Sequence, residues 1–124
     1  MNKFLKFAIA SIVALFAVSS LTACAEAEPM NAADYAAVID VRTVEEWNSG
    51  YLEGAVLIEI ADADFRDEIS KLDPNADYYI YCRSGNRAGQ AIDIMRDMGF
   101  SGELVNGGAV ANASNQLGVA VVRP

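Results

Sequence analysis

The sequence of 124 residues contains no histidine and only two cysteines, Cys24 and Cys82. The absence of histidine excludes catalytic pairs in which an imidazole activates a cysteine or serine, and it excludes histidine-based metal sites. Two cysteines are too few for a disulfide-rich scaffold. A reactive thiol in this chain must therefore be activated by something other than an imidazole.

Basic residues are also scarce, with 9 Lys and Arg against 17 Asp and Glu, which gives a formal net charge of −8. A surface this acidic repels phosphate backbones, so nucleic acid is not an expected partner. A small anion would bind only where the chain builds a locally positive pocket. The length allows one domain rather than two.

The N-terminus has the pattern of a secretory signal peptide over residues 1–23. Lys3 and Lys6 give a positive start, an apolar stretch covers residues 7–18, and small residues follow it. The apolar stretch is too short to cross a bilayer comfortably, which favours a cleaved leader over the alternative of a retained membrane anchor.

The leader ends in Leu21-Thr22-Ala23-Cys24, which resembles the lipobox of bacterial lipoproteins. The resemblance implies cleavage before Cys24, lipidation of its sulfur and acylation of the new N-terminus. Several acyl chains anchor a protein firmly to a bilayer. We therefore expect an exported protein that is lipid-anchored to a bacterial membrane, facing the periplasm or the cell surface. Ala25, in place of an aspartate, favours the outer membrane over the inner one.

After a short tether at residues 24–30, the chain alternates between strand-like and helix-like segments over residues 31–124. Short apolar runs predict strands at 36–42, 55–60, 77–82, 102–106 and 117–122. Capping residues and apolar periodicity predict helices at 43–50, 62–72 and 87–98. This alternation predicts an α/β fold with a mostly parallel central sheet and helices on both faces.

The segment "YYIYCRSGNRAGQ" places Cys82 where a strand ends and a helix begins. Ligands of open parallel sheets bind at the carboxyl ends of the strands. A helix N-terminus adds unpaired amides and a positive dipole, and Gly85 permits a tight turn that points amides inward. With Arg83 and Arg87 nearby, this loop would stabilise a thiolate without histidine. The alternative is a small apolar residue that merely closes a strand.

The loop length separates two chemistries. Cysteine phosphatases use C-x5-R to wrap a phosphate, whereas Cys82 to Arg87 is C-x4-R. A loop one residue shorter fits a smaller electrophile, such as a single sulfur atom. A small cysteine phosphatase or arsenate reductase therefore stays the less favoured alternative.

Three segments, "IDVRTVEEWNSGYLEGAVLIEI", "YIYCRSGNRAGQAIDIMRDMGF" and "ELVNGG", together resemble the single-domain rhodaneses, thiosulfate sulfurtransferases of the phage-shock protein E type. The resemblance extends over residues 31–124. It implies a rhodanese-like fold and transfer of sulfur from thiosulfate to cyanide or a thiol. No cofactor or metal is expected, and we expect a monomer.

The resemblance implies that Cys82 is the nucleophile and carries the sulfur as a persulfide. The loop would bind the substrate, with Arg83 orienting the sulfonate end of thiosulfate. For Arg87 two roles stay open, substrate contact and bracing of the loop against a carboxylate. The substrate-binding residues expected are Arg83, Ser84, Gly85, Asn86 and Arg87.

Asp40, Arg42 and Glu46 also match family positions, and we interpret them as scaffold residues in ion pairs at the strand end. Departures from the family pattern lie elsewhere. Gly50 is followed by Tyr51 instead of histidine, a small hydroxyl residue is replaced by Ala88, and an aromatic residue by Ala109. The last change predicts a more open pocket wall. A sulfur carrier or binding module without turnover stays a further alternative.

The lipobox makes a testable prediction. In Cys24→Ser, the lipid acceptor is gone, so we expect the leader to stay uncleaved and the mature form to disappear from the membrane fraction. Cell fractionation followed by immunoblotting measures both. Cys82→Ser is the matched control, because it removes the other thiol and leaves the leader intact. Normal processing and membrane retention of Cys24→Ser would refute lipidation at this residue.

Overall fold

The computed structural model of the protein describes residues 30–124. The predicted leader and its lipidation site at Cys24 lie outside this range, so both stay predictions. Within the described residues, no helix is both long and apolar enough to cross a membrane.

A four-stranded parallel sheet forms the centre of the domain. Its strands are β1 at Ala37–Asp40, β3 at Val56–Leu57, β4 at Tyr78–Cys82 and β5 at Leu104–Ala109. Their order in the sheet is β3-β1-β4-β5. Strand β4 lies between β1 and β5, and all five of its residues are buried. A strand covered on both faces needs a continuous run of large apolar or aromatic residues, and "YYIYC" supplies it.

The helix bounds are Val44–Asn48 for α1, Phe65–Ser70 for α2, Asn86–Asp97 for α3 and Val110–Leu117 for α4, after a 3-10 turn at Ala32–Asp34. These helices cover both faces of the sheet, so the predicted α/β architecture with a parallel central sheet is confirmed. The side chains of β4 alternate between two apolar clusters. Ile80 packs with the face covered by α2 and α3, whereas Tyr79 and Tyr81 pack with the face covered by α4.

The prediction of a strand over residues 117–122 is wrong for most of its length. Leu117 ends α4, a helix that the sequence patterns did not reveal, and Gly118 follows it in the left-handed conformation with φ 64°. Only Val121–Val122 forms a strand, β6, which pairs antiparallel with β2 at Tyr51–Leu52, a strand that the sequence patterns did not predict. Burial of Leu117 against the sheet stabilises the helix where local propensity is weak.

Several other segments are shorter than predicted, including β1, α1, β3 and α2. Strand β3 keeps only Val56–Leu57, although the chain beyond it still bonds to β1 through the Ile58 amide and the Asp40 carbonyl at 2.9 Å. Helix α2 begins at Phe65 because the preceding aspartates form turns, in which the Asp64 amide donates to the Asp62 carboxylate at 3.0 Å.

Candidate active site

The candidate site lies at the carboxyl end of β4, where the strand, a three-residue loop and helix α3 follow one another. Cys82 is the last residue of the strand and pairs with Ala109 of β5 across a register shift. Because β1, β3 and β5 run parallel to β4, their carboxyl ends meet at the same edge of the sheet. The loop after Cys82 is therefore framed by chain segments from several strands.

The Cys82 sulfur accepts hydrogen bonds from the chain that folds over it. The Gly85 amide lies 2.9 Å from Sγ, and the Ala88 amide, in the first turn of α3, lies 3.5 Å from it. Gly85 makes this turn possible because its φ of 93° is strained for any residue with a side chain. The sulfur thus occupies the place that a capping side-chain oxygen usually takes at a helix start.

The thiol is fully buried, whereas the two loop residues that follow it, Arg83 and Ser84, are exposed. Burial keeps water away from the sulfur and strengthens its interactions with the surrounding dipoles. It also means that a reagent reaches Sγ only after a local rearrangement of the chain around it. Sγ and the helix start together form an anion cradle, and the exposed cationic side chain of Arg83 belongs to the same loop.

Arg83 and Arg87 have different surroundings. Within residues 30–124, Arg83 has no hydrogen bond or ion pair. The Arg87 guanidinium instead pairs with Glu46, with Nη1–Oε1 at 2.7 Å and Nη2–Oε2 at 2.9 Å. Both terminal nitrogens of Arg87 are therefore engaged, which favours bracing of the loop over substrate contact. Arg83 is the arginine of this loop whose donors remain available.

The Glu46 carboxylate is held from two sides. Besides the hydrogen bonds from Arg87, the carboxylate accepts hydrogen bonds from the amide and the hydroxyl of Thr43. The Glu46 amide in turn donates to the Thr43 hydroxyl, which completes a capping box. The hydrogen bonds from Arg87 lower the pKa of Glu46 from 4.5 to about 2, and those from Thr43 act in the same direction. The carboxylate in turn raises the pKa of Arg87. One side chain thus both caps α1 and braces the loop.

A second ion pair lies at the end of β1, the strand that pairs with β4. Arg42 and Asp40 are both buried, and the guanidinium contacts the carboxylate through Nε and Nη2, the latter at 2.8 Å. The same Nη2 donates to the Gly50 carbonyl at 2.7 Å. This arrangement agrees with a scaffold role, because it fixes the chain after α1. Glu46 does not join this pair but bridges to the loop instead.

Asn106 was missed by the sequence analysis, although it reaches the loop directly. Its Nδ2 donates to the Gly85 carbonyl at 2.9 Å, and its Oδ1 accepts from the Gly108 amide at 3.0 Å. A signal was available in the sequence. Asn106 precedes Gly107 and Gly108 on the strand beside β4, and parallel neighbours end at the same edge of the sheet.

No group of three or more Cys, Asp or Glu side chains in the described part of the chain is arranged to hold a metal ion. The site is thus composed of a sulfur, backbone amides, arginines and an asparagine. Such a set suits nucleophilic chemistry at sulfur with an anionic reagent.

Residues 25–113 match the family model of the rhodanese-like domain. The chain belongs to the rhodanese-like family. Among curated proteins, it is 32% identical over 63 residues to the thiosulfate sulfurtransferase PspE of Escherichia coli strain K12, covering 51% of this chain and 61% of that protein. It is 30% identical over 94 residues to the putative sulfurtransferase YtwF of Bacillus subtilis strain 168, covering 76% and 89%.

A solved structure described as a rhodanese with anions from E. coli is similar to this fold, with a TM-score of 0.59 and 26% identity. The similarity covers 71% of this chain and 98% of that one. The match to PspE spans less than two thirds of that protein. The relatives named as sulfurtransferases support a role in sulfur transfer at the level of the family.

The Glu46–Arg87 pair predicts a specific pH dependence of stability. The folded-state pKa of Glu46, about 2, lies below its ordinary 4.5, so its contribution is present above about pH 5 and is lost as the pH falls toward 2. With allowance for partial exposure, we expect Glu46→Gln to lose about 1–3 kcal/mol at pH 7. The difference from wild type should shrink on acidification, as measured by urea unfolding from pH 7 to pH 2.5.

Glu68→Gln is the matched control. Glu68 pairs with Lys71 at 2.9 Å on the exposed surface of α2, where solvent screens the ion pair and leaves it a small contribution to stability. A stability loss in Glu46→Gln that equals the control, or that is the same at pH 7 and pH 2.5, would contradict the bracing role.

Proposed function

We propose that the protein is a sulfurtransferase that moves the outer sulfur of thiosulfate to a thiol or cyanide through a persulfide on Cys82. The observation that carries this proposal is the cradle around Sγ. Two backbone amides donate to the sulfur at 2.9 and 3.5 Å, and the positive end of α3 faces it. Membership in the rhodanese-like family supports the same chemistry.

In the first half-reaction, the Cys82 thiolate attacks the outer sulfur of thiosulfate. A new S–S bond forms, the S–S bond of thiosulfate breaks, and its electron pair leaves with sulfite. In the second half-reaction, the acceptor attacks the terminal sulfur of the persulfide, and the electron pair of the Cys82 S–S bond returns to Sγ. No net oxidation of the protein occurs, and no imidazole is needed to move a proton.

The loop has a distinct task in each step. In the persulfide, the terminal sulfur carries the negative charge, and amides at the N-terminus of α3 stabilise it as an oxyanion hole would. Arg83 is exposed at the outer side of the loop, where it would meet the sulfonate end of thiosulfate. Arg87 is held by Glu46 and would fix the shape of the loop. Because Sγ is buried, donor entry requires a local rearrangement of the chain around the sulfur.

We further propose that the protein works outside the cytoplasm as a lipoprotein. The leader pattern and the four residues ending at Cys24 support this location. The acyl chains carried by Cys24 would anchor the protein to the bilayer.

The proposed function is tested by the mass of the soluble fragment 25–124 after incubation with thiosulfate. We expect a gain of one sulfur atom, which cyanide removes with formation of thiocyanate. Cys82→Ser should show no gain while its stability stays within about 1 kcal/mol of wild type, because the substitution creates no large cavity. Turnover of Cys82→Ser near the wild-type rate would refute the nucleophile. A mass gain without turnover by any acceptor would favour a sulfur carrier.

Arg83 makes a separate prediction about donor binding. Arg83→Ala should raise the Michaelis constant for thiosulfate, because it removes a charge-assisted contact to the sulfonate. The expected factor corresponds to about 1.5–3 kcal/mol of binding free energy. Discharge of the preformed persulfide to cyanide should change much less, because no sulfonate is present in that step. Arg83→Lys should recover part of the loss, since it keeps the charge without the planar fork.

Stopped-flow measurement of the two half-reactions separates this role from a general effect on the loop. Arg66→Ala is the control, because Arg66 is an exposed arginine on α2 and its removal makes the same change in net charge. Equal effects of Arg83→Ala on both half-reactions, or an equal effect of Arg66→Ala, would argue against sulfonate binding.

A further inference from the structure

Asn106 connects strand β5 to the loop over the sulfur. Its Nδ2 donates to the Gly85 carbonyl at 2.9 Å, while its Oδ1 is fixed by the Gly108 amide at 3.0 Å. Both ends of the amide side chain are therefore engaged, and its orientation is set by the end of β5. The fit is close, since a Cβ atom built at Gly85 would lie 3.4 Å from the Asn106 Oδ1.

The hydrogen bond to the Gly85 carbonyl also affects the direction of the Asn86 N–H, which belongs to the same peptide group. A trans peptide is planar, so the Asn86 N–H points opposite to the Gly85 C=O. The carbonyl is directed along α3, where it also accepts from the Gly89 amide at 3.0 Å. The Asn86 N–H is consequently directed out of the helix start, the side on which the Ala88 amide reaches Sγ.

The Asn86 amide has an unused donor. Within residues 30–124, neither it nor the Arg87 amide has an acceptor, whereas the Gly85 and Ala88 amides already donate to Sγ. The Asn86 and Arg87 amides are therefore the donors at this helix start that can bind an incoming anion or the terminal sulfur of a persulfide. The direction of the Asn86 N–H therefore affects how well the site accepts a negatively charged reagent.

We propose that Asn106 is a positioning residue that holds the Gly85–Asn86 peptide so that the Asn86 amide faces the reacting anion. It deepens the proposed function by assigning part of the preference for anionic sulfur donors to a side chain on the neighbouring strand. The side-chain hydrogen bonds of Asn106 reach neither Sγ nor the Asn86 and Arg87 amides, so it acts through Gly85.

The test compares alkylation of Cys82 by iodoacetate and by iodoacetamide in the purified full chain, with the lipid-site thiol of Cys24 excluded by peptide mapping. In both reactions the thiolate sulfur forms a bond to carbon and iodide leaves, but only iodoacetate is an anion. Any opening of the structure that exposes the buried sulfur affects both reagents, so the ratio of the two rates isolates anion acceptance. We expect Asn106→Ala to lower this ratio about three- to tenfold, the effect of one misaligned hydrogen bond.

Asn112→Ala is the matched control. The Asn112 Nδ2 donates to the Gly107 carbonyl at 2.8 Å, so this variant loses a similar bond to the same strand end without touching the loop. We expect its ratio to stay at the wild-type value. Asn106→Leu, which fills a similar volume without a donor, should behave as Asn106→Ala does. Thermal melting of every variant establishes that the fold is intact.

An unchanged ratio in a folded Asn106→Ala or Asn106→Leu would overturn the proposal, and so would an equal fall in Asn112→Ala. The alkylation ratio does not depend on thiosulfate. If wild type gains no sulfur from thiosulfate, the proposed function fails while the role of Asn106 is still measured. If wild type is charged but the ratio is insensitive to Asn106, only the positioning role fails.

Discussion

An anionic sulfur in this site must be stabilised by backbone amides and arginines, because the chain has no histidine. This constraint accounts for the local architecture. The sulfur has to be buried at the start of a helix, the loop has to be short enough to point its amides inward, and Gly85 has to adopt a left-handed φ. Backbone donors cannot be rearranged one at a time, so their geometry depends on the elements that hold the loop from outside, Glu46 on α1 and Asn106 on β5.

Local sequence patterns predicted the secondary-structure elements in those parts of the fold where local propensity and tertiary packing favour the same conformation. The run ending at Cys82 is strand β4, the periodic apolar face after Arg87 is α3, and the capping pair Thr43–Glu46 starts α1. The C-terminal region was mispredicted because the two kinds of signal conflict there. The segment before Leu117 has weak helix formers, and an apolar, β-branched run follows it, so burial of α4 against the sheet decides the outcome.

The candidate site was predictable as far as it is continuous in sequence. Cys82, the loop and the helix start follow one another, and their placement follows from strand, turn and helix signals alone. The partners of the loop come from distant segments. Glu46 is 41 residues from Arg87, and Asn106 is 21 residues from Gly85. The sequence patterns indicated an ion pair for Glu46 but did not identify which arginine is its partner. The position of Asn106 beside the loop depends on the strand order, which places β5 next to β4.

The dual use of Glu46 restricts how this loop can be transplanted. A designer who grafts residues 82–87 onto another parallel sheet would move the sulfur and its amides, but the guanidinium of Arg87 would then lack its carboxylate. The minimal portable unit is therefore discontinuous: it comprises the loop with the start of α3, the Thr43–Glu46 turn that supplies the carboxylate, and Asn106 at the end of β5. The spacing between these pieces is set by β1 and β5 on either side of β4, and it would have to be reproduced in the recipient scaffold.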